Sequence, residues 1–178
     1  MKPKASFAVS AILAAFLAFV SPTAMAGLYG FVAGGIGVHE FSNVGNGSAY
    51  KFGVGLASGG QGSRFGVEAS YVDLGEGYIS AIPSGYLGMS GLNVSVVSEL
   101  NLSPMVLGGR VGFYNFTTTD SGIGSSISST GLSWGVSIGF QVNKKTTVFM
   151  DTDGYGSVDV GGSTETPTSI MIGAKVEL

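Results

Sequence analysis

Leu132-Ser-Trp-Gly-Val-Ser-Ile-Gly-Phe-Gln-Val142 carries a large apolar side chain at every second position and a small or polar one between. A repeat of two is the period of a β-strand, whose successive side chains point to opposite faces. One face holds Leu132, Trp134, Val136, Ile138, Phe140 and Val142; the other holds Ser133, Gly135, Ser137, Gly139 and Gln141. A soluble barrel packs its bulky face inside and turns polar residues to water. Here the bulky residues would face lipid, and the small and polar ones would fill the interior.

The same alternation recurs along the chain. Tyr50, Phe52, Val54 and Leu56 alternate with Lys51, Gly53, Gly55 and Ala57. Phe65, Val67, Ala69 and Tyr71 alternate with Gly66, Glu68 and Ser70, and Ile170, Ile172, Ala174, Val176 and Leu178 with Gly173, Lys175 and Glu177. Clusters of Gly, Ser, Asn and Asp separate the runs. Eight strands are expected, at roughly 28–39, 49–58, 64–74, 86–99, 105–116, 130–142, 146–154 and 169–178. The expected class is all-β: an eight-stranded antiparallel up-and-down transmembrane β-barrel. The connections then sort by length. Ser58–Ser63, Leu100–Pro104 and Asn143–Lys145 are short turns at one end. Glu40–Ser48, Gly75–Gly85, Thr117–Ser129 and Tyr155–Thr168 are longer loops at the other. Short periplasmic turns and long outer loops are the bacterial barrel pattern.

Composition agrees. Of 178 residues, 44% are hydrophobic and only 11% charged, against about 25% charged in soluble domains. Beyond the N-terminal segment, no stretch is apolar for the roughly 20 residues a spanning helix needs, and a closed barrel is the other lipid-stable backbone. Cysteine is absent, which excludes disulfides and thiolate metal sites. At the N-terminus, Lys2 and Lys4 precede an apolar run, Ala5 to Val20, and then Ala24-Met25-Ala26. These parts form a secretory signal peptide, residues 1–26, expected to be cleaved to leave the barrel domain 27–178. Cleavage removes two of the 8 basic residues against 11 acidic ones, a balance that argues against nucleic acid as a partner.

Alternation also assigns roles to individual side chains. Tyr50, Tyr71, Phe113 and Trp134 fall outward near the outer ends, and Phe65 and Phe140 outward near the periplasmic ends. They form two expected aromatic girdles at headgroup level. Glu68, Arg110 and Asp151 fall inward at similar heights, with Lys51 higher on the neighbouring strand. Buried charge must be paired, so an interior ion-pair network centred on Arg110 is expected, with Lys51, Glu68 and Asp151. The alternative role for this network is a gate in a narrow pore.

Several segments resemble the OmpA-like, OmpX/Ail and opacity-type small barrels. Leu28-Tyr-Gly-Phe-Val-Ala-Gly-Gly-Ile-Gly37 is similar to their opening strand, and Gly108-Gly-Arg-Val-Gly-Phe-Tyr114 to their fifth. Gly131–Phe140, Asn143 and Thr147–Asp151 are similar to their sixth and seventh strands. Gly173, Val176 and Leu178 resemble the C-terminal signal read by the barrel-assembly machinery, with Leu178 where an aromatic residue is usual. The resemblance implies the bacterial outer membrane. It also implies contact with its lipids and lipopolysaccharide, and possible binding of a host or surface ligand by the outer loops.

Some barrels of this size modify lipid A, using a histidine near a serine and a carboxylate. His39 is the single histidine; Glu40 and Ser42 follow it, but residues this close on a strand point in different directions. His39 is read instead as a polar rim residue. Asp151-Thr-Asp153-Gly154 with Asp159 lacks the fifth and twelfth ligands of a calcium loop and reads as a strand end. No phosphate-binding glycine motif opens a helix. The expectation is a non-enzymatic envelope protein with no cofactor or metal, and a surface-interaction role. A narrow channel ranks second and a lipid-modifying enzyme third.

Overall fold

A computed structural model describes residues 28–40, 47–60, 62–78, 86–120, 124–160 and 163–178. The signal peptide expected at 1–26 lies outside these residues. Eight strands close into a barrel: β1 Tyr29–Glu40, β2 Gly47–Gly59, β3 Ser63–Tyr78, β4 Tyr86–Leu102, β5 Met105–Asp120, β6 Ser125–Gln141, β7 Thr146–Tyr155 and β10 Thr168–Glu177. All neighbours are antiparallel, and β10 pairs with β1 to close the ring. The expected class and strand count hold.

One turn around the barrel through paired residues runs Val106, Gly139, Phe149, Gly173, Gly35, Lys51, Val72, Gly91 and Phe116. It returns to β5 ten residues further along. With a rise of about 3.3 Å per residue and strands about 4.8 Å apart, this stagger tilts the strands by about 40°. The same arithmetic puts the outward apolar band, from Leu102 and Leu178 up to Leu92 and Leu132, at about 25 Å tall, the thickness of an outer-membrane hydrocarbon layer. Phe52, Phe65, Ile172 and Trp134 are among the large side chains exposed on that band.

Two expectations about the outer end need correcting. Glu76–Tyr78, Thr117–Asp120 and Ser125–Ser129 are not loop but paired strand, so β3 to β6 continue together beyond the band. The Ser/Thr-rich composition looked loop-like. Yet threonine is β-branched and suits a pleated sheet, and the inner face of this extension buries Leu74, Leu87, Met89 and Phe116. The last outer connection contains a small hairpin, β8 Val158–Val160 with β9 Ser163–Glu165. At the other end, β4 and β5 pair up to Leu102 and Met105, which leaves only Ser103 and Pro104 as the turn.

Between Asp73 and Glu76 the register of β3 shifts by a bulge. Gly75 has φ +67°, a left-handed conformation that glycine adopts at least cost. The Gly75 N–H donates to Asp73 Oδ1 at 2.6 Å, which stabilises the turn. The bulge keeps Leu74 inward and brings Glu76 and Tyr78 to the outer face.

Candidate functional site

Inward positions on four strands supply the charged centre of the barrel. Alternation on β7 brings Asp151 and Asp153 to the same face, while Lys51 comes from β2, Glu68 from β3 and Arg110 from β5. Lys51 Nζ donates to Asp151 Oδ2 at 2.6 Å and to Asp153 Oδ2 at 2.9 Å. Arg110 Nε donates to Asp153 Oδ1 at 2.5 Å, and its terminal nitrogen pairs with Asp151 Oδ2. Glu68 Oε1 stands 3.8 Å from the Arg110 guanidinium. The two aspartates are therefore clamped between the same two cations. Placing charge at membrane depth is costly, and this reciprocal pairing offsets the desolvation.

The four residues named from the sequence thus lie in one cluster. Asp153 was missed as a member, because with Asp151 and Gly154 it read as the end of a strand. Its spacing of two from Asp151 on an alternating strand was the available signal.

A second charged layer lies at the short-turn end. Arg64 pairs with Glu177, and Lys175 with Glu99. The Arg64 guanidinium lies 5.0 Å from the Tyr29 ring centroid, and the Lys175 ammonium 5.4 Å from that of Phe31. Between the two layers is a cavity of about 50 Å³, bordered by Phe31, Glu99, Arg110, Ser137, Phe149 and Lys175. It is roomy enough for water, with Glu99, Arg110, Ser137 and Lys175 among its lining as polar partners.

Above the central cluster the interior changes character. Ser133 Oγ donates to Asn93 Oδ1 at 2.6 Å, and beyond this pair lies an apolar layer. Ala49, Val72, Leu74, Leu87, Met89, Tyr114, Phe116, Tyr155 and Met171 form one buried group. The rings of Tyr114, Phe116 and Tyr155 meet at centroid distances of 4.7, 4.9 and 5.9 Å. The Tyr114 hydroxyl donates to the Gly156 carbonyl at 2.9 Å. This corrects the expected small and polar interior: its outer part is aromatic. Tyr114 and Phe116 alternate with the outward Phe113 on β5, so strict alternation would have placed them inside.

The remaining named residues sit as follows. Tyr50, Tyr71, Phe113 and Trp134 are exposed toward the long-loop edge of the apolar band, and Phe65 and Phe140 toward the short-turn edge. The Tyr50 and Tyr71 rings lie 6.2 Å apart. Gly173 faces inward on β10, where an added Cβ would lie 2.1 Å from the Gly34 carbonyl oxygen. Val176 and Leu178 face lipid, and the Leu178 N–H donates to the Gly30 carbonyl at 2.9 Å. His39 is not at the rim: it is buried inside the outer end of β1, because alternation from Phe31 and Ala33 turns it inward. Glu40 is exposed on the opposite face, and Ser42 lies outside the described residues.

No family model and no curated protein matches this sequence. Solved structures do. Neisserial surface protein A is 15% identical, with a TM-score of 0.53 over 85% of this chain and 97% of that one. Ail, the attachment invasion locus protein of Yersinia pestis, is similar at 16% identity and a TM-score of 0.55, over 85% of this chain and 99% of that one. Its complex with the heparin analogue sucrose octasulfate aligns at 13% identity and a TM-score of 0.56, again over 85% and 99%. The chain shares the fold of these small transmembrane barrels.

Proposed function

We propose that this chain is a closed, non-enzymatic barrel of the bacterial outer membrane. It contributes to envelope structure and presents its outer sheet for surface interaction. One observation carries this reading: the apolar band around the wall encloses an interior filled at three levels, by paired charges, by a second charged layer and by aromatic rings. A barrel whose interior is spent on its own stability offers no through-path, and its remaining surface is the part that projects beyond the lipid. The aromatic layer weighs against the narrow-channel reading. His39, buried and turned away from Glu40, weighs against lipid hydrolysis by a histidine and carboxylate pair.

Export by the signal peptide, insertion by the assembly machinery through Gly173, Val176 and Leu178, and contact with lipopolysaccharide belong to this reading. Adhesion is its more specific form. Ail was solved with a sulfated heparin analogue, but this chain has no Lys or Arg in its outer portion to meet sulfates. An adhesive role here would use different chemistry.

Cell fractionation with a heat-modifiable gel shift tests the location. The expected result is membrane association and an unheated band that migrates differently from the boiled one. Recovery as a soluble periplasmic protein without a shift would overturn it. Planar-bilayer recording tests closure: a steady ionic current through the pure protein would restore the channel.

A further inference from the structure

The cations of this chain are distributed unevenly. Lys51, Arg64, Arg110 and Lys175 are committed to ion pairs inside the barrel, and Lys144 and Lys145 lie in the periplasmic turn between β6 and β7. Lys2 and Lys4 lie in the expected signal peptide. No part of the chain beyond the outer girdle carries a Lys or Arg, whereas Glu40, Asp73, Glu76, Asp120, Asp159 and Glu165 are all there. Every sequence position counts here, so the asymmetry does not depend on loop conformation.

The outer arm of β3 and β4 adds shape to this charge. Tyr78 and Tyr86 are antiparallel partners on its outer face, both about half exposed, with ring centroids 5.9 Å apart at 73°. The strand tilt places them about 15 Å above the Tyr71 and Trp134 level, clear of the headgroups. Interfacial anchoring therefore does not account for them. Glu76, paired with Gly88, is the next outward position below the tyrosines, and Asp73 lies below it. The adjoining outward positions, Ser90, Thr117, Thr119, Ser126 and Ser128, are uncharged. Ring faces attract cations, and the sequence places no Lys or Arg in this portion.

We propose that the outer face of the β3–β4 arm docks a lysine- or arginine-rich segment of a partner protein. Tyr78 and Tyr86 are the platform for its cationic side chains, and Glu76 the counter-charge. Charge complementarity selects this occupant over a sulfated or phosphorylated polyanion, which would meet only carboxylates. A neutral glycan would gain from the rings but not from Glu76. The inference rests on the preceding reading, in that this face must look outward from the membrane.

The test uses the full chain refolded into zwitterionic phosphatidylcholine vesicles, with fluorescein-labelled nona-arginine as the probe and anisotropy as the readout. Saturable binding that weakens with salt is expected. Tyr78→Ala with Tyr86→Ala, combined with Glu76→Gln, should weaken it by about tenfold, each ring being worth a factor of a few. Tyr78→Phe with Tyr86→Phe should retain the ring contribution. The heat-modifiable shift confirms that each variant is folded, and Glu76→Gln alone serves if the alanine pair is not. Binding of sucrose octasulfate or a neutral oligosaccharide in place of nona-arginine would overturn the proposal. So would nona-arginine binding that ignores all three substitutions. A parent chain that shows the shift but no binding refutes this inference alone; a parent without the shift refutes the barrel reading beneath it.

Discussion

Trp134 lays its indole across Gly154, its antiparallel partner on β7: a Cβ built at Gly154 would lie 2.4 to 2.7 Å from three atoms of the ring. The glycine supplies a flat place on the lipid-facing wall, and the indole covers it. Tyr114 makes the same kind of contact with its partner Gly131 inside the barrel, at 2.7 to 2.9 Å. In both places a ring fills the volume that glycine leaves.

Gly154→Ala should therefore lift the indole off the wall. Trp134 is the only tryptophan, so its fluorescence reports the change directly. A shifted emission maximum is expected, with a loss of stability of about 1–3 kcal/mol, as for overpacking elsewhere. An unchanged spectrum would mean that the ring accommodates the methyl group without moving.

Val54 faces lipid near the middle of the apolar band. Val54→Arg should cost about 2–4 kcal/mol in vesicles, the penalty for a guanidinium near the bilayer midplane. Thr117→Arg, on the polar outer arm, should change stability by no more than about 0.5 kcal/mol. Denaturant unfolding in lipid vesicles compares the two, and equal penalties would contradict the assigned membrane boundary.

Removing Arg110 leaves Asp151 and Asp153 sharing Lys51 alone. Arg110→Ala should destabilise the barrel by about 3 kcal/mol, because the buried carboxylates lose a partner. Its planar-bilayer conductance should nevertheless match that of the parent, since the aromatic layer lies above the cluster. A current that appears only in this variant would place the closure in the ion pairs instead.

The converse substitution targets the aromatic layer. Tyr114→Ala, Phe116→Ala and Tyr155→Ala together remove three fully buried rings from the outer end. Loss of stability of several kcal/mol is expected, as large-to-small core changes cost about 3–5 kcal/mol per ring before additivity fails. In those barrels that remain folded by the gel-shift assay, small-ion current should rise above the parent's. Tyr114→Phe should lose only the hydroxyl's bonding to the Gly156 and Ser157 carbonyls, about 1 kcal/mol, and stay closed.

The sequence by itself determined the strands and their facing. Alternation from Leu132 to Val142 needs only the two-residue period of an extended chain, and in lipid a bulky outer face has one arrangement. It therefore placed Trp134, Phe140, Arg110 and Asp151 on the correct sides of the wall before any pairing was known. What only the tertiary structure decided depends on how far one strand slides against the next. The ten-residue stagger sets which inward residues share a height, and so brings Asp153 to Lys51 and Arg110, and Tyr155 to Tyr114 and Phe116. It also decided that β3 to β6 run past the membrane. There Thr117–Asp120 and Ser125–Ser129 look like loop in composition, but they are held as sheet by neighbours and a buried apolar face that are distant in sequence.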